Sequence, residues 1–269
     1  MERAHATEQR TQLKPKGAYP ASLTLSLLRW GLVAVLIGVW ELGARFGFID
    51  PFYFSAPGQI AHTLYVWATQ GLLFHHLLVT LAEAGVGFLA GLVLGVSLGF
   101  LFAANPRLDA ILQPFIVILN AMPRIAFAPL IILWFGLGFI SKVVIVVSLV
   151  FFAVFFNTYH GFKEINPAIL RNARVIGATR SQMLLHVYLP AALTWTFASI
   201  LVSVGFDIIA AVLGEYIGAS AGIGYLIDNV QSNFDATGVM AGLVTLTISV
   251  AILDSLLQTI ERRYAVISR

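Results

Sequence analysis

Long apolar runs separated by short polar stretches dominate the hydropathy pattern of this chain. Six runs reach the ~20 residues that a helix needs to cross roughly 30 Å of hydrocarbon. The alternating ~10-residue segments of a membrane β-barrel are absent from the sequence. The pattern therefore predicts an all-α polytopic membrane protein with six transmembrane helices. The predicted spans are Leu25 to Phe46, Leu78 to Ala103, Ile111 to Phe135, Lys142 to His160, Ala191 to Leu213 and Val239 to Ile260.

Composition supports this class and excludes several kinds of site. Of 269 residues, 59% are apolar and 11% are charged, whereas about a quarter of a typical soluble domain is charged. The chain has no cysteine, which excludes disulfide frameworks, zinc-thiolate sites and cysteine nucleophiles. His75 and His76 are neighbours that point apart on a helix, so we predict no metal site there.

The distribution of lysine and arginine orients the predicted spans. If the N-terminus is cytoplasmic, thirteen of the 16 basic residues fall on the inner side, and residues 47–77 and 214–238 on the outer side contain none. Basic residues near membrane ends remain cytoplasmic, so we expect both termini inside. We divide the chain into an N-terminal tail (1–24), a first helix with its outer loop (25–77), a core of five helices (78–262) and a C-terminal tail (263–269).

A basic, polar segment, "RNARVIGATRSQMLLHVYLP", lies between the fourth and fifth spans. Pro167 suits a first helical turn, Gly177 ends or bends that helix, and Thr179 or Ser181 can cap a second turn. An amphipathic helix lying on the lipid surface is the alternative. The central glycine and the lack of large apolar anchors favour docking to another protein.

The same segment carries a resemblance to the inner-membrane permeases of binding-protein-dependent ABC importers. Their signature is Glu-Ala-Ala, three residues, Gly, nine residues, Ile, one residue, Leu-Pro. Ala173, Gly177, Leu189 and Pro190 match it, and Val187 replaces the isoleucine. Arg171 and Asn172 stand where Glu-Ala is usual, which leaves open any ion pair made by the family's glutamate.

Two further stretches, "NAMPRIAFAPLIILWFGLGFISK" and "GEYIGASAGIGYLI", resemble the nitrate, sulfonate and taurine branch of that family. The resemblance covers roughly residues 75–262. It implies a homodimer in the bacterial inner membrane, two ABC ATPases that each receive a cytoplasmic coupling helix between spans four and five, and an outer solute-binding protein. The residues implied in ATPase coupling are Arg171, Asn172, Ala173, Gly177, Ala178, Thr179, Leu189 and Pro190.

The resemblance also implies that this chain is a transport subunit with no catalytic residues and no bound cofactor. ATP and Mg²⁺ would belong to the partner ATPases, because the chain has no G-x-x-x-x-G-K-[ST] phosphate loop. We expect membrane lipid around it and no nucleic-acid partner.

Few ionisable residues lie inside the predicted spans, where each costs at least ~2.5 kcal/mol at the centre. Arg124, between Pro123 and Pro129 in a span that the prolines should kink, is a candidate cation for an anionic solute. Snorkelling or a pair with Asp207 are the alternatives for it. The glycine-rich outer loop supplies Glu215, Gly222 and Gly224 as pathway or gate candidates, and Asp207 is a further candidate for the pathway lining.

Other intramembrane residues are expected to be structural. We expect Glu83 to lie near a membrane end where solvation is easy, and Lys142, at the start of the fourth span, to snorkel outward. Glycines recur every four residues along one face of the second span, which predicts close packing against another helix. These glycines are Gly87, Gly91, Gly95 and Gly99.

The substrate is not determined by these patterns. A small anion such as a sulfonate, taurine or nitrate is favoured, and a pyrimidine-type vitamin precursor is the alternative within the same family. An ion-coupled secondary transporter would need a relay of carboxylates at the membrane midplane, for which Asp207 is the one convincing residue. A structural membrane anchor would not need the glycine-rich outer loop.

Overall fold

A computed structural model describes the backbone of residues 22–267, with side chains except at 22–24, 106, 120, 180, 192–204 and 260–267. Of the two predicted tails, residues 1–21 and 268–269 fall outside this range. All regular secondary structure in this range is helical, and no strand occurs there, which confirms the all-α class. The α-helices are α1 (Ser22–Arg45), α2 (Pro51–Phe54), α3 (Pro57–Thr69), α4 (Leu72–Ala104), α5 (Pro106–Ala121), α6 (Ala128–Phe135), α7 (Phe139–Lys163), α8 (Pro167–Val175), α9 (Arg180–Met183), α10 (Leu189–Ile217), α11 (Ile223–Ser232) and α12 (Ala236–Ile267).

Four helices in the described part, α1, α4, α7 and α12, are long and apolar enough to cross a membrane. The bent unit that contains α5 and α6 makes a fifth if it counts as one span. Helix α10 has 29 residues, which at 1.5 Å per residue corresponds to about 44 Å. These helices establish a polytopic membrane protein.

The unit containing α5 and α6 is broken at Met122 and Pro123. A 3₁₀ turn, Arg124–Phe127, separates the two helices, and their axes differ by 78°. Met122 is extended, with φ −68° and ψ 135°, because a residue that precedes proline is disfavoured in the helical region. The kink that the prolines predicted is therefore present, and it places Arg124 at the bend.

Helices α4 and α7 pack closely along the glycine face of α4. A Cβ atom on Gly91 would lie 2.7 Å from Val150 Cβ, and one on Gly95 would lie 2.8 Å from Val154 Cβ. Only glycine allows the two backbones to approach this closely. The predicted burial of this face is confirmed, and the main core of the protein forms where α6 and α10 join the pair.

A second, smaller core joins α3, α11 and α12. Its buried members include Trp67, Ile223, Ile227 and Ala241. The long loop expected after the first span contains two helices, α2 and α3, each with proline in its first turn. The Asp50 carboxylate caps α2 by accepting from the Phe52 N–H at 2.9 Å. This packing holds α11 beside the end of α4 at which the chain enters that helix. We call this end of the bundle the α11 end, and the opposite end, where α7 leads into α8, the α8 end.

Candidate functional site

A buried polar cluster lies at the α11 end of the bundle. It contains Glu83 of α4, Lys142 of α7 and Glu215 of α10, which are 3%, 0% and 1% exposed. Ionised side chains are almost never fully buried unless they are paired. The three helices therefore bring these residues together in one buried cluster, and they are not isolated surface charges.

The first turn of α11 is capped by side chains of other helices. The Gly222 N–H donates to His76 Nδ1 at 3.0 Å, the Ile223 N–H donates to Thr80 Oγ1 at 2.9 Å, and the Gly224 N–H donates to Glu215 Oε2 at 2.7 Å. The first amides of a helix have no partner within that helix. Helices α4 and α10 supply these missing acceptors and fix the position of α11.

Lys142 does not snorkel outward, so that expectation was wrong. Its ammonium donates to the carbonyl oxygen of Gly218 at 2.6 Å and to that of Leu137. The physical reason is that α7 begins at Phe139, one turn before the predicted span, and the loop before α11 folds over this end. Glu83 was likewise expected near solvent and is instead buried beside Glu215.

The predicted gate residues Glu215, Gly222 and Gly224 are brought together in this cluster. A Cβ on Gly222 would overlap the Glu215 carboxyl group, and a Cβ on Gly224 would overlap the Val212 carbonyl oxygen. Gly222 also has φ +111°, a conformation that favours glycine. Both glycines are therefore required by contact with α10, and their role in a gate remains a prediction.

Arg124 lies apart from this cluster, at the bend between α5 and α6. Its guanidinium carbon is 4.5 Å from the centroid of the Phe152 ring, within the range of a cation–π interaction. The side chain lines a cavity of about 310 Å³ whose other walls are mostly aromatic and aliphatic. The walls include Phe127, Trp134, Phe135, Val144 and Ser148.

Asp207 is buried in α10, where its Oδ2 has no hydrogen-bond partner among the described groups. The ion pairs between described side chains are Arg45 with Glu41 and Lys163 with Asp109. An Arg124–Asp207 pair is not among them.

The segment predicted to couple to an ATPase begins with α8. The Asn166 side chain caps this helix by accepting from the Ala168 N–H at 2.8 Å, and Pro167 occupies its first turn. Gly177 ends it with φ +80°, and the Ala178 N–H donates back to the Ala173 carbonyl at 3.0 Å. This is the glycine-terminated helix end known as a Schellman motif.

The second half of the segment is held by a capping box. The Gln182 N–H donates to Thr179 Oγ1 at 3.3 Å, and the Thr179 N–H donates to Gln182 Oε1 at 2.9 Å. Each side chain thereby satisfies an amide that the helix leaves open. A π turn, Leu184–Tyr188, follows α9 and leads directly into α10, which starts with Leu189 and Pro190.

Apolar residues are exposed where α8 ends. Val175 and Ile176 are 87% and 84% exposed, and Arg171 and Asn172 on the same helix are also exposed. At the base of the segment, the rings of Phe162 and Tyr188 stack with centroids 4.0 Å apart. The segment is therefore a compact projection with a closed base and an apolar tip.

Sequence reasoning missed two features of this arrangement, and only one of them left a signal in the sequence. His76 and Thr80 are ordinary members of an apolar helix until α11 is placed against them. Glu83, Lys142 and Glu215 could have been noticed together, because each interrupts an apolar run and they carry opposite charges. Within the described residues there is no group of three His, Cys, Asp or Glu side chains that could hold a metal ion.

Comparison with known proteins agrees with this architecture. The family model described as "binding-protein-dependent transport system inner membrane component" matches residues 91–266. The putative aliphatic sulfonates transport permease SsuC of Bacillus subtilis (strain 168) is 31% identical over 232 residues, which are 86% of this chain and 84% of that protein. The formylaminopyrimidine transport permease ThiX of Halalkalibacterium halodurans is 33% identical over 80% of this chain and 85% of its own length. The taurine permease TauC of Escherichia coli (strain K12) is 28% identical over 94% and 92%.

Solved structures share the fold. An inward-facing form of the MetNI methionine ABC transporter aligns with a TM-score of 0.60 at 21% identity, over 73% of this chain and 96% of that one. A bacterial ABC transporter for the import of alginate aligns with a TM-score of 0.60 at 17% identity, over 90% and 98%. The family model covers well over half of the sequence and the helices adopt the arrangement of ABC transporters, so this chain belongs to the binding-protein-dependent inner membrane components and is a permease subunit of an ABC importer, a transport subunit rather than an enzyme.

Proposed function

We propose that two copies of this chain form the translocation pathway for a small organic anion, with six transmembrane helices in each copy and both termini in the cytoplasm. The α8 end is then cytoplasmic and the α11 end faces outward, as the distribution of lysine and arginine requires. Two ABC ATPases, which carry ATP and Mg²⁺, dock at the α8 end. A solute-binding protein delivers the solute at the other end.

The observation that carries this proposal is the geometry of the coupling segment. Val175 and Ile176 place apolar side chains at the tip of an otherwise polar projection, where no described residue covers them. Contiguous exposed apolar side chains rimmed by polar ones mark protein interaction sites. Gly177 and the Thr179–Gln182 capping box make the projection rigid, so a force applied at its tip reaches the ends of α7 and α10.

Co-purification of the ATPase with charged variants of the tip tests the docking surface. Val175→Asp and Ile176→Asp each place a charge in the apolar tip and leave the backbone unchanged, so we expect the ATPase to be lost from the purified complex. Phe234→Asp is the matched control, because Phe234 is also exposed but precedes α12 at the α11 end. Retention of the ATPase by both tip variants would refute docking at this surface.

The cavity beside Arg124 supports an organic anion as the solute. Its guanidinium can bind an anionic head group through charge-assisted hydrogen bonds, while the aromatic and aliphatic walls accept an apolar tail. An alkyl or aryl sulfonate has both parts, whereas nitrate has no apolar part. The names of the SsuC and TauC relatives, which refer to aliphatic sulfonates and taurine, agree with this choice.

Uptake by Arg124→Gln tests the role of the cavity. The variant keeps hydrogen-bond donors but has no charge, so ATP-dependent uptake of a sulfonate into proteoliposomes should be abolished while the complex still assembles. Arg107→Gln is the control, because Arg107 lies exposed at the start of the same broken unit. Wild-type uptake by the Arg124 variant would remove Arg124 from the pathway.

A neutral pyrimidine-type vitamin precursor is the second candidate, favoured by the similarity to ThiX and by aromatic walls that can stack on a heterocycle. Such a solute does not need the charge, so its uptake should survive Arg124→Gln. An ion-coupled secondary transporter is the remaining alternative, and uptake that persists in proteoliposomes without the ATPase would favour it.

A further inference from the structure

We propose that Glu83, Lys142 and Glu215 form an electroneutral latch, with one proton shared between the two carboxyl groups, that seats α11 against α4, α7 and α10. The three are positioning residues. They hold the loop of residues 218–222 and the first turn of α11 in place and need not touch the solute. We call this group the α11 latch.

The two carboxyl groups of the latch are buried neighbours that interact directly with each other. If both were ionised, Glu83 Oε2 and Glu215 Oε1 would each be buried without a donor, and two negative charges would lie in contact. Like charges at this separation do not both ionise in a buried site. One proton between the carboxyl groups supplies the missing donor and removes one of the two charges.

The remaining hydrogen bonds assign the charge to Glu215. Its carboxylate accepts from the Gly224 N–H at 2.7 Å. Hydrogen bonds donated to a carboxylate favour its ionised form. Glu83 receives no backbone amide among the described groups, so it is the proton carrier and donates to Glu215.

Lys142 balances this charge. Its side chain is fully buried, it interacts electrostatically with both carboxyl groups, and its ammonium donates to the Gly218 and Leu137 carbonyls. One ammonium, one carboxylate and one neutral carboxyl group give no net charge. Opposite charges in one buried site offset each other, and removing one of them leaves a costly uncompensated charge.

The latch acts on both sides of the turn that precedes α11. Lys142 holds the carbonyl of Gly218 before the turn, and Glu215 holds the amide of Gly224 after it. Movement of this turn and α11 away from α7 and α10 must break these bonds together. The functional meaning of this movement, opening of an outer gate, rests on the proposed orientation and pathway.

The absence of native cysteine allows a direct test in the full permease–ATPase complex. Ala221→Cys places a thiol in the half-buried turn held by the latch, and its reaction rate with a membrane-impermeant maleimide reports how often the turn leaves its seat. Ser232→Cys, at the exposed end of α11, is the control for reagent access.

We predict different labelling rates at position 221 for three variants of the latch residues, each made together with Ala221→Cys. Glu83→Gln keeps a neutral donor toward Glu215, so labelling at position 221 should stay within about twofold of the parent. Lys142→Met leaves the carboxylate uncompensated, so labelling should rise at least ~10-fold. Lys142→Met combined with Glu215→Gln removes both charges and should recover much of the slow labelling.

Faster labelling in Glu83→Gln, as large as in Lys142→Met, would overturn the shared proton, and unchanged labelling in Lys142→Met would overturn the latch. If the Lys142→Met variant does not assemble, Glu83→Leu is used in its place. This substitution removes the carboxyl proton donor of Glu83 and keeps a similar side-chain volume. Slow labelling of Glu83→Leu would then contradict the proposal. Sulfonate uptake is measured in parallel: fast labelling with normal uptake supports the latch and rejects the gate, so the two ideas fail separately.

Discussion

The close packing of α4 on α7 gives a quantitative prediction for a single methyl group. Gly91→Ala places a Cβ 2.7 Å from Val150 Cβ and 3.2 Å from the Phe151 backbone nitrogen. Carbon atoms attract at about 3.5–4.0 Å, so the new methyl group is too close by roughly 1 Å. Val150 Cβ is fixed to its backbone and no rotamer change moves it. The overlap is relieved when the two helices separate.

Overpacking of this kind costs about 1–3 kcal/mol. Little offsets it, because lipid already solvates an alanine methyl group as well as a protein core does. Gly85→Ala is the control on the same helix, since Gly85 is exposed and a Cβ there has nothing within 4 Å. Both variants carry the same change in helix propensity, and their difference isolates the contact between α4 and α7.

Thermal unfolding in detergent, followed by the fluorescence of the five tryptophans, measures this difference. For a chain of this size roughly 2–4 °C corresponds to 1 kcal/mol, so Gly91→Ala should unfold about 2–12 °C below Gly85→Ala. Adding Val150→Gly to Gly91→Ala should restore part of the loss by returning space to the contact. Equal melting temperatures for the two alanine variants would refute the argument.

Three further predictions concern the α8 end. Gly177→Ala should weaken ATPase co-purification and ATP-dependent uptake, because alanine at φ +80° is strained by about 1–2 kcal/mol. Gly177→Asn should have a smaller effect, and equal defects in the two variants would contradict the role of backbone strain. Thr179→Ala should lose a cap worth about 1 kcal/mol and speed amide hydrogen exchange in residues 179–183, whereas Thr179→Ser should not; unchanged exchange in the alanine variant would count against the capping box. Tyr159→Phe removes the hydroxyl that donates to Asp109 at 2.5 Å and should lower stability by about 0.5–1.5 kcal/mol in the same unfolding assay, with Tyr65→Phe, an exposed tyrosine, as the control that should melt like the parent.

The helices and their close contacts were predictable because they depend on local patterns. Apolar run length located the long helices, with ends that differ by up to seven residues, and the four-residue glycine period identified the packed face of α4. The partner of that face could not be predicted, since many helices offer the valines that α7 supplies. Pro123 and Pro129 likewise predicted a kink at Arg124, because proline acts on its own backbone.

The polar cluster at the α11 end was harder to predict because its members meet only in the tertiary structure. Each of these residues was interpreted alone: Glu83 and Lys142 by their distance from the end of an apolar run, and Glu215 as part of the glycine-rich outer loop. That rule fails for Lys142, because the chain after α10 folds over the end of α7 and offers it carbonyl oxygens. The hydrogen bonds that satisfy the Lys142 ammonium form only when the chain folds. A rule for a single helix in lipid cannot predict them.

One helix connects all the sites described above. Helix α7 carries Lys142 at the α11 end, Phe152 beneath Arg124 in the middle, and Lys163 just before α8. The side chains of α7 fill the space along the glycine face of α4. Because of this close packing, the two helices cannot slide past each other in small steps and must move as one body. A displacement of α8 by an ATPase would therefore reach the cavity and the α11 latch together. Arg124 and α11 would then change position in the same step, as alternating access through a single pathway requires.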